Sequence, residues 1–187
     1  MLDAGIKDQL RAYMERLAAP IELVATLDGS ENAAQTRAFV EDVAATSASI
    51  AARFDGTASR TPSFSVGKVG EPARIAFAGL PMGHEFTSLV LALLQASGYP
   101  PKVDEATIAA VKALPGSYDF VTYVSLTCQN CPDVVQALNL MAVLNPNIRH
   151  TMVEGSMFQA EVEAEKVMAV PTVMLNGALF GQGRMSI

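Results

Sequence analysis

The sequence predicts an α/β fold: two fused units, each a mixed sheet flanked by helices, spanning roughly residues 1–99 and 102–187. Three observations predict it. Helical and extended hydrophobic patterns alternate along the chain. Their order repeats after a break at Gly98-Tyr99-Pro100-Pro101. Matching proline-led strings also recur, with Thr61-Pro62-Ser63-Phe64 ahead of one hairpin and Val170-Pro171-Thr172-Val173 ahead of another. The chain has 187 residues, half of them hydrophobic, which is enough for a substantial core.

The elements of the first unit follow from local chemistry. Ile6, Leu10, Tyr13, Met14 and Leu17 fall at helical spacing, so 3–17 is predicted as an amphipathic helix, with Pro20 just past its end. Residues 21–27 read as a strand, and Asp28-Gly29-Ser30 as a turn in which Ser30 caps the next helix, 32–47. Strands are predicted at 50–54, 61–66 and 74–77, then a turn over 79–83 and a strongly apolar helix over 85–96.

The second unit repeats this order with a helix at 104–114, a strand at 118–126, a helix at 132–144, a strand at 148–154 and a helix at 157–166. A strand at 171–175 is joined by Asn176-Gly177, a strong two-residue hairpin signal, to a return strand at 178–180. The copy stops where its last helix should begin, which suggests a piece of a longer polypeptide.

Composition narrows the function. Net charge is −6 and no run of Lys or Arg stands out, which argues against nucleic acid or an anionic membrane as partner. No apolar run reaches 18 residues. The first residues lack the basic start and apolar stretch of a signal peptide. With only two cysteines, a cytoplasmic location is expected.

Those cysteines carry the strongest signal. Cys128-Gln129-Asn130-Cys131 lies between a Val/Tyr/Phe-rich strand and a helix, where the first unit has Gly29 to Asn32. A thiol at a helix N-terminus faces unpaired N–H groups and the positive end of the macrodipole, which favour the thiolate, the nucleophile of disulfide exchange. Cys128 is expected to be the exposed attacking sulfur and Cys131 the buried resolving one. Other readings remain open: a structural disulfide, two inert thiols, or a zinc site completed by a partner chain, since only His84 and His150 could add nitrogen ligands.

Pro171 strengthens the redox reading. In thioredoxin-like folds a cis proline opens the strand facing the Cys-x-x-Cys, and a cis bond before proline is only slightly less stable than trans. Val170 would then offer its backbone N–H and C=O to an extended partner segment. Pro62 matches by position but has no cysteines opposite, so it reads as a structural relic. Glu85 starts a helix, where a carboxylate is favoured. Asp119 reads as surface, the two histidines as structural or solvent-facing, and the methionines mainly as core filler. Gly181-Gln182-Gly183 resembles the start of a dinucleotide fingerprint without its third glycine, and nucleotide binding is rejected.

At this point the chain resembles a known family, the N-terminal domain of the F-type subunit of alkyl hydroperoxide reductase. The resemblance rests on the tandem repeat, the single Cys-x-Asn-Cys, and three strings: residues 83–94 beginning Gly83-His84-Glu85-Phe86, residues 131–141 beginning Cys131-Pro132-Asp133, and Phe180-Gly181-Gln182-Gly183-Arg184-Met185. It implies two fused thioredoxin-like folds, only the second with a Cys-x-x-Cys. It also implies electron transfer from an FAD- and NADH-binding part of the same polypeptide, with no cofactor in this chain, to a peroxiredoxin disulfide. Glu85 matches an acidic residue that tunes the redox pair in that family. Gln129 departs from the family's usual His. The alternatives are a free-standing disulfide oxidoreductase, or a metal- or partner-binding thioredoxin-like module.

Overall fold

The computed structural model describes residues 2–187. Within them, eight strands form one sheet in the order β2-β1-β3-β4-β6-β5-β7-β8. The first four are β1 (Ile21–Thr26), β2 (Ile50–Arg53), β3 (Ser63–Lys68) and β4 (Ile75–Ala78). The last four are β5 (Tyr118–Val124), β6 (Ile148–Glu154), β7 (Thr172–Leu175) and β8 (Ala178–Gln182). Each set of four has the same internal order, and each mixes one parallel with two antiparallel pairings. The sets join where β4 lies parallel to β6, from Ile75 opposite His150 to Ala78 opposite Val153. That junction hides two strand edges that would otherwise be open to other chains.

Six helices among the described residues complete the fold: α1 (Ala4–Met14), α2 (Glu31–Ala44), α3 (Phe86–Ala96), α4 (Glu105–Lys112), α5 (Cys131–Leu144) and α6 (Gln159–Ala164). Strand alternation divides the sheet into two faces. Ile21, Leu23, Phe64, Phe77, Phe120 and Met152 point to one face, where α1 to α5 bury one continuous core. Phe39 tilts against Phe64 at 5.8 Å, and Phe64 stacks on Phe77 at 5.4 Å. The other face carries a smaller cluster of Ala78, Tyr123, Val153 and Met174, packed against Phe158, Val162 and Val167 around α6.

The predicted element order holds; several boundaries shift. Helix α1 ends at Met14 rather than 17, because the Arg16 and Leu17 N–H groups close tighter turns on Tyr13 and Met14. The expected helix at 157–166 shortens to α6 behind a 3-10 turn over Gly155–Met157. Ser30 caps α2 as expected, its hydroxyl accepting from the Ala33 N–H at 3.1 Å. The Asn176-Gly177 turn forms, with both residues at positive φ. Among the described residues, no helix is long and apolar enough to cross a membrane.

Candidate functional site

The β5–α5 connection places the cysteines at the start of α5, whose first residue is Cys131 and whose second is Pro132. Proline fits there because its missing N–H would be unpaired anyway. Cys131 is fully buried, whereas Cys128 is partly exposed. The two are joined in a disulfide, with Cα atoms 5.5 Å apart. The Cys131 N–H donates to Cys128 Sγ at 3.2 Å. After reduction, that donor and the helix end would favour the Cys128 thiolate.

Opposite the sulfurs lies the loop before β7. The Val170–Pro171 peptide is cis, and the Val170 carbonyl oxygen is 3.9 Å from Cys128 Sγ. Cys128, Cys131, Val170 and Pro171 therefore come together although about 40 residues separate the two segments. Thr61–Pro62 is cis as well, at the matching position of the first unit. Pro62 is buried there, with no sulfur opposite.

Glu85 reaches the site region by a tertiary route. The 3-10 turn Gly83–Glu85 packs against α5, and the His84 N–H donates to the Leu126 carbonyl at 3.1 Å, two residues before Cys128. Gly83 is required in that turn. Its φ is +57°, and a Cβ would stand 2.9 Å from the Leu126 oxygen. Glu85 is fully buried and sits at the α3 N-cap without making a side-chain cap bond, so it is more than a helix-start carboxylate. Its Oε1 accepts from the Ser88 hydroxyl at 2.6 Å, and its Oε2 has no partner. Burial raises its pKa to about 7, opposed in part by the Ser88 hydrogen bond. No hydrogen bond joins Glu85 to either sulfur among the described residues.

The remaining polar residues take other places. His150 is buried, with Nδ1 2.7 Å from Asn139 Oδ1 and Nε2 2.7 Å from Thr122 Oγ1. The Asn139 oxygen can only accept, so Nδ1 carries the hydrogen and Nε2 accepts from Thr122. Burial presses the His150 pKa down to about 3. With both nitrogens engaged in the core, His150 is not available as a metal ligand. His84 and Asp119 are exposed. Among the described residues, no group of three His, Cys, Asp or Glu could hold a metal.

Sequence reasoning missed three features. Met168, read with the other methionines as core filler, is 90% exposed on the loop that leads to Val170. Ser88 and Gln136 are hydrogen-bonded to each other at 3.1 Å, next to Glu85. The signal for Gln136 was a lone polar residue in the Val134-Val135-Gln136-Ala137-Leu138 stretch, and Ser88 stands three residues after Glu85 on the same helical face.

The Thioredoxin domain family matches residues 120–187. The whole chain is 54% identical to the F-type alkyl hydroperoxide reductase subunit of Pseudomonas aeruginosa, and spans 36% of that protein's length. It is also 54% identical to a Bacillus subtilis protein named NADH dehydrogenase, again over all 187 residues and 36% of the relative. Among solved structures, the N-terminal domain of alkyl hydroperoxide reductase AhpF from Enterococcus faecalis superposes with a TM-score of 0.87. It is 27% identical, and the match covers 97% of this chain and 95% of that one.

Proposed function

We propose that this chain, which belongs along its whole length with the N-terminal domains of alkyl hydroperoxide reductase AhpF, is a dithiol–disulfide electron carrier. The electrons would come from an FAD- and NADH-binding part of a longer polypeptide and pass to a peroxiredoxin disulfide. One observation carries the reading: a partly exposed Cys128 whose sulfur accepts from the Cys131 N–H and faces the Val170 carbonyl. The B. subtilis relative's name and the 36% coverage support an NADH-linked part beyond the matched region.

The exchange balances in two steps. The Cys128 thiolate attacks one sulfur of the partner disulfide, forming a mixed disulfide and releasing one partner thiolate, which takes a proton. Cys131, having lost its proton, then attacks Cys128 Sγ. The intramolecular disulfide forms, the second partner thiol leaves, and the pair has given up two electrons. A second dithiol reverses the process. The Val170 backbone would pair with an extended partner segment, and Pro171 holds that loop against the sulfurs. Glu85 tunes the pair, because a carboxylate charge formed near pH 7 disfavours a further anion at the sulfurs.

The Gly181-Gln182-Gly183 string does not fit a dinucleotide. Gly181 lies within β8, paired to β7, where a Cβ would stand 3.0 Å from Met185 Sδ, and no helix N-terminus follows it. Flavin and nicotinamide therefore enter no step taken by these residues. The reading also takes 1–99 and 102–187 as the two units, supported by their matching strand orders, and places the reaction in a reducing cytoplasm.

The test is reconstitution. With the flavoprotein portion and a peroxiredoxin present, NADH oxidation driven by peroxide should depend on this chain. Glutathione or thioredoxin reductase should not substitute efficiently. Full turnover by Cys128→Ser would overturn the assignment.

A further inference from the structure

Glu85 belongs to the half of the molecule without sulfur, yet it is tied to the helix that starts at Cys131. The tie is two hydrogen bonds long. Gln136 Nε2, on α5, donates to Ser88 Oγ at 3.1 Å, and Ser88 Oγ lies 2.6 Å from Glu85 Oε1. Direction follows from the chemistry of the groups. The amide nitrogen can only donate, so the Ser88 oxygen accepts from Gln136 and its hydroxyl hydrogen is left for Glu85. A hydroxyl that accepts from an amide is polarised as a donor, which strengthens its bond to the Glu85 carboxylate.

We propose that Ser88 and Gln136 are positioning residues for Glu85: the Gln136 amide fixes the Ser88 hydroxyl as a donor, and through it α5 controls the charge of a carboxyl that the other half supplies. This inference rests on the tuning role given to Glu85 above. It adds two residues on different helices and a direction of control from the redox helix to the carboxyl.

The surroundings leave few competitors. Glu85 and Ser88 are both buried, and Glu85 Oε2 has no partner, so Ser88 is the only hydrogen-bond donor to the carboxyl among the described residues. Asp133 and His84 face solvent. Glu154, whose Cβ lies against Gly79, accepts from the Ser156 N–H and hydroxyl. Cys128 and Cys131 are tied in the disulfide and do not titrate in the oxidised chain. Gln136 is half-buried, so it can be replaced without opening the core.

The oxidised chain, carrying glutamate labelled with carbon-13 at the carboxyl, isolates the effect. The Glu85 resonance is followed against pH by NMR and identified by its loss in Glu85→Gln. Gln136→Met removes the amide that polarises the Ser88 hydroxyl, weakens its bond to the carboxylate, and should raise the Glu85 midpoint by about half a pH unit or more. Ser88→Ala removes the donor outright and should raise it by about one unit or more. In the double variant, Gln136→Met should add nothing, since Gln136 acts only through Ser88. An unmoved midpoint in Gln136→Met, or shifts that add in full, would overturn the relay. Ser88→Thr, which keeps the hydroxyl, should return the midpoint to that of the parent chain. This titration involves no electron transfer, so it stands or falls separately from peroxiredoxin reduction in the reconstituted system.

Discussion

The two halves share a strand order, yet use the end of their central helix differently. In the first, Ser30 Oγ accepts from the Ala33 N–H at the start of α2. In the second, Cys128 Sγ accepts from the Cys131 N–H at the start of α5, with the same three-residue spacing. Asn130, at the N-cap of α5, makes no side-chain cap bond. A hydroxyl at the N-cap completes a helix. Cys128 stands two residues ahead of the N-cap, so its sulfur accepts from the first helical N–H instead and can also exchange disulfides. The halves thus differ in chemistry through the atom placed at a helix end.

The sharpest break of this comparison is Cys128→Ser, which puts a hydroxyl where the second half carries its sulfur. Electron delivery should fall to background in the reconstituted assay while circular dichroism stays that of the parent. Cys131→Ser should instead trap a mixed disulfide with the peroxiredoxin, visible on a non-reducing gel.

Next in size is a pH effect carried by the first half. Glu85 has a folded pKa of about 7 against an ordinary 4.5, so the folded state holds more protons between those values. Stability should therefore be full below about pH 4.5 and decline as pH rises through 7, by roughly 3 kcal/mol in all. His150, pressed to about 3, acts with the opposite sign, its contribution being lost as pH falls from 6.5 towards 3. Urea midpoints of Glu85→Gln should lose the first trend and keep the second. An unchanged pH profile would mean that Glu85 titrates normally.

A smaller effect tests how the halves are clasped. Arg60, on the loop before β3, forms a two-pronged ion pair with Glu161 of α6, and Tyr123 also donates to Glu161. Burial would raise the Glu161 pKa, but these partners hold it below the usual carboxylate range. Glu161→Ala should cost about 2 kcal/mol, read as a lower Tm. Smallest is Ser30→Ala, which removes only a cap and should cost about 1 kcal/mol with no loss of electron delivery.

Much of this was legible in the sequence, because the signals are local. A hydrophobic period gives a helix or strand wherever it occurs, and a Ser at a helix start caps it. Asn176-Gly177 turns a hairpin because both residues tolerate positive φ. The Cys-x-x-Cys sits at a strand-to-helix junction, and the cis Val170–Pro171 bond falls in the string that marked it. Other features depend on contacts between distant segments. No local pattern says that β4 pairs with β6, or that Glu85, which only the family resemblance singled out, is fully buried.

By itself, then, the sequence determined the order of elements, the repeat and the position of the redox sulfurs, since each follows from spacing along the backbone. Only the tertiary structure decided that one sheet and one core run through both halves, that Cys128 faces Val170, and that Ser88 and Gln136 link Glu85 to the redox helix. The reason is physical: burial, and with it the charge a carboxyl can keep, is set by which segments meet in three dimensions.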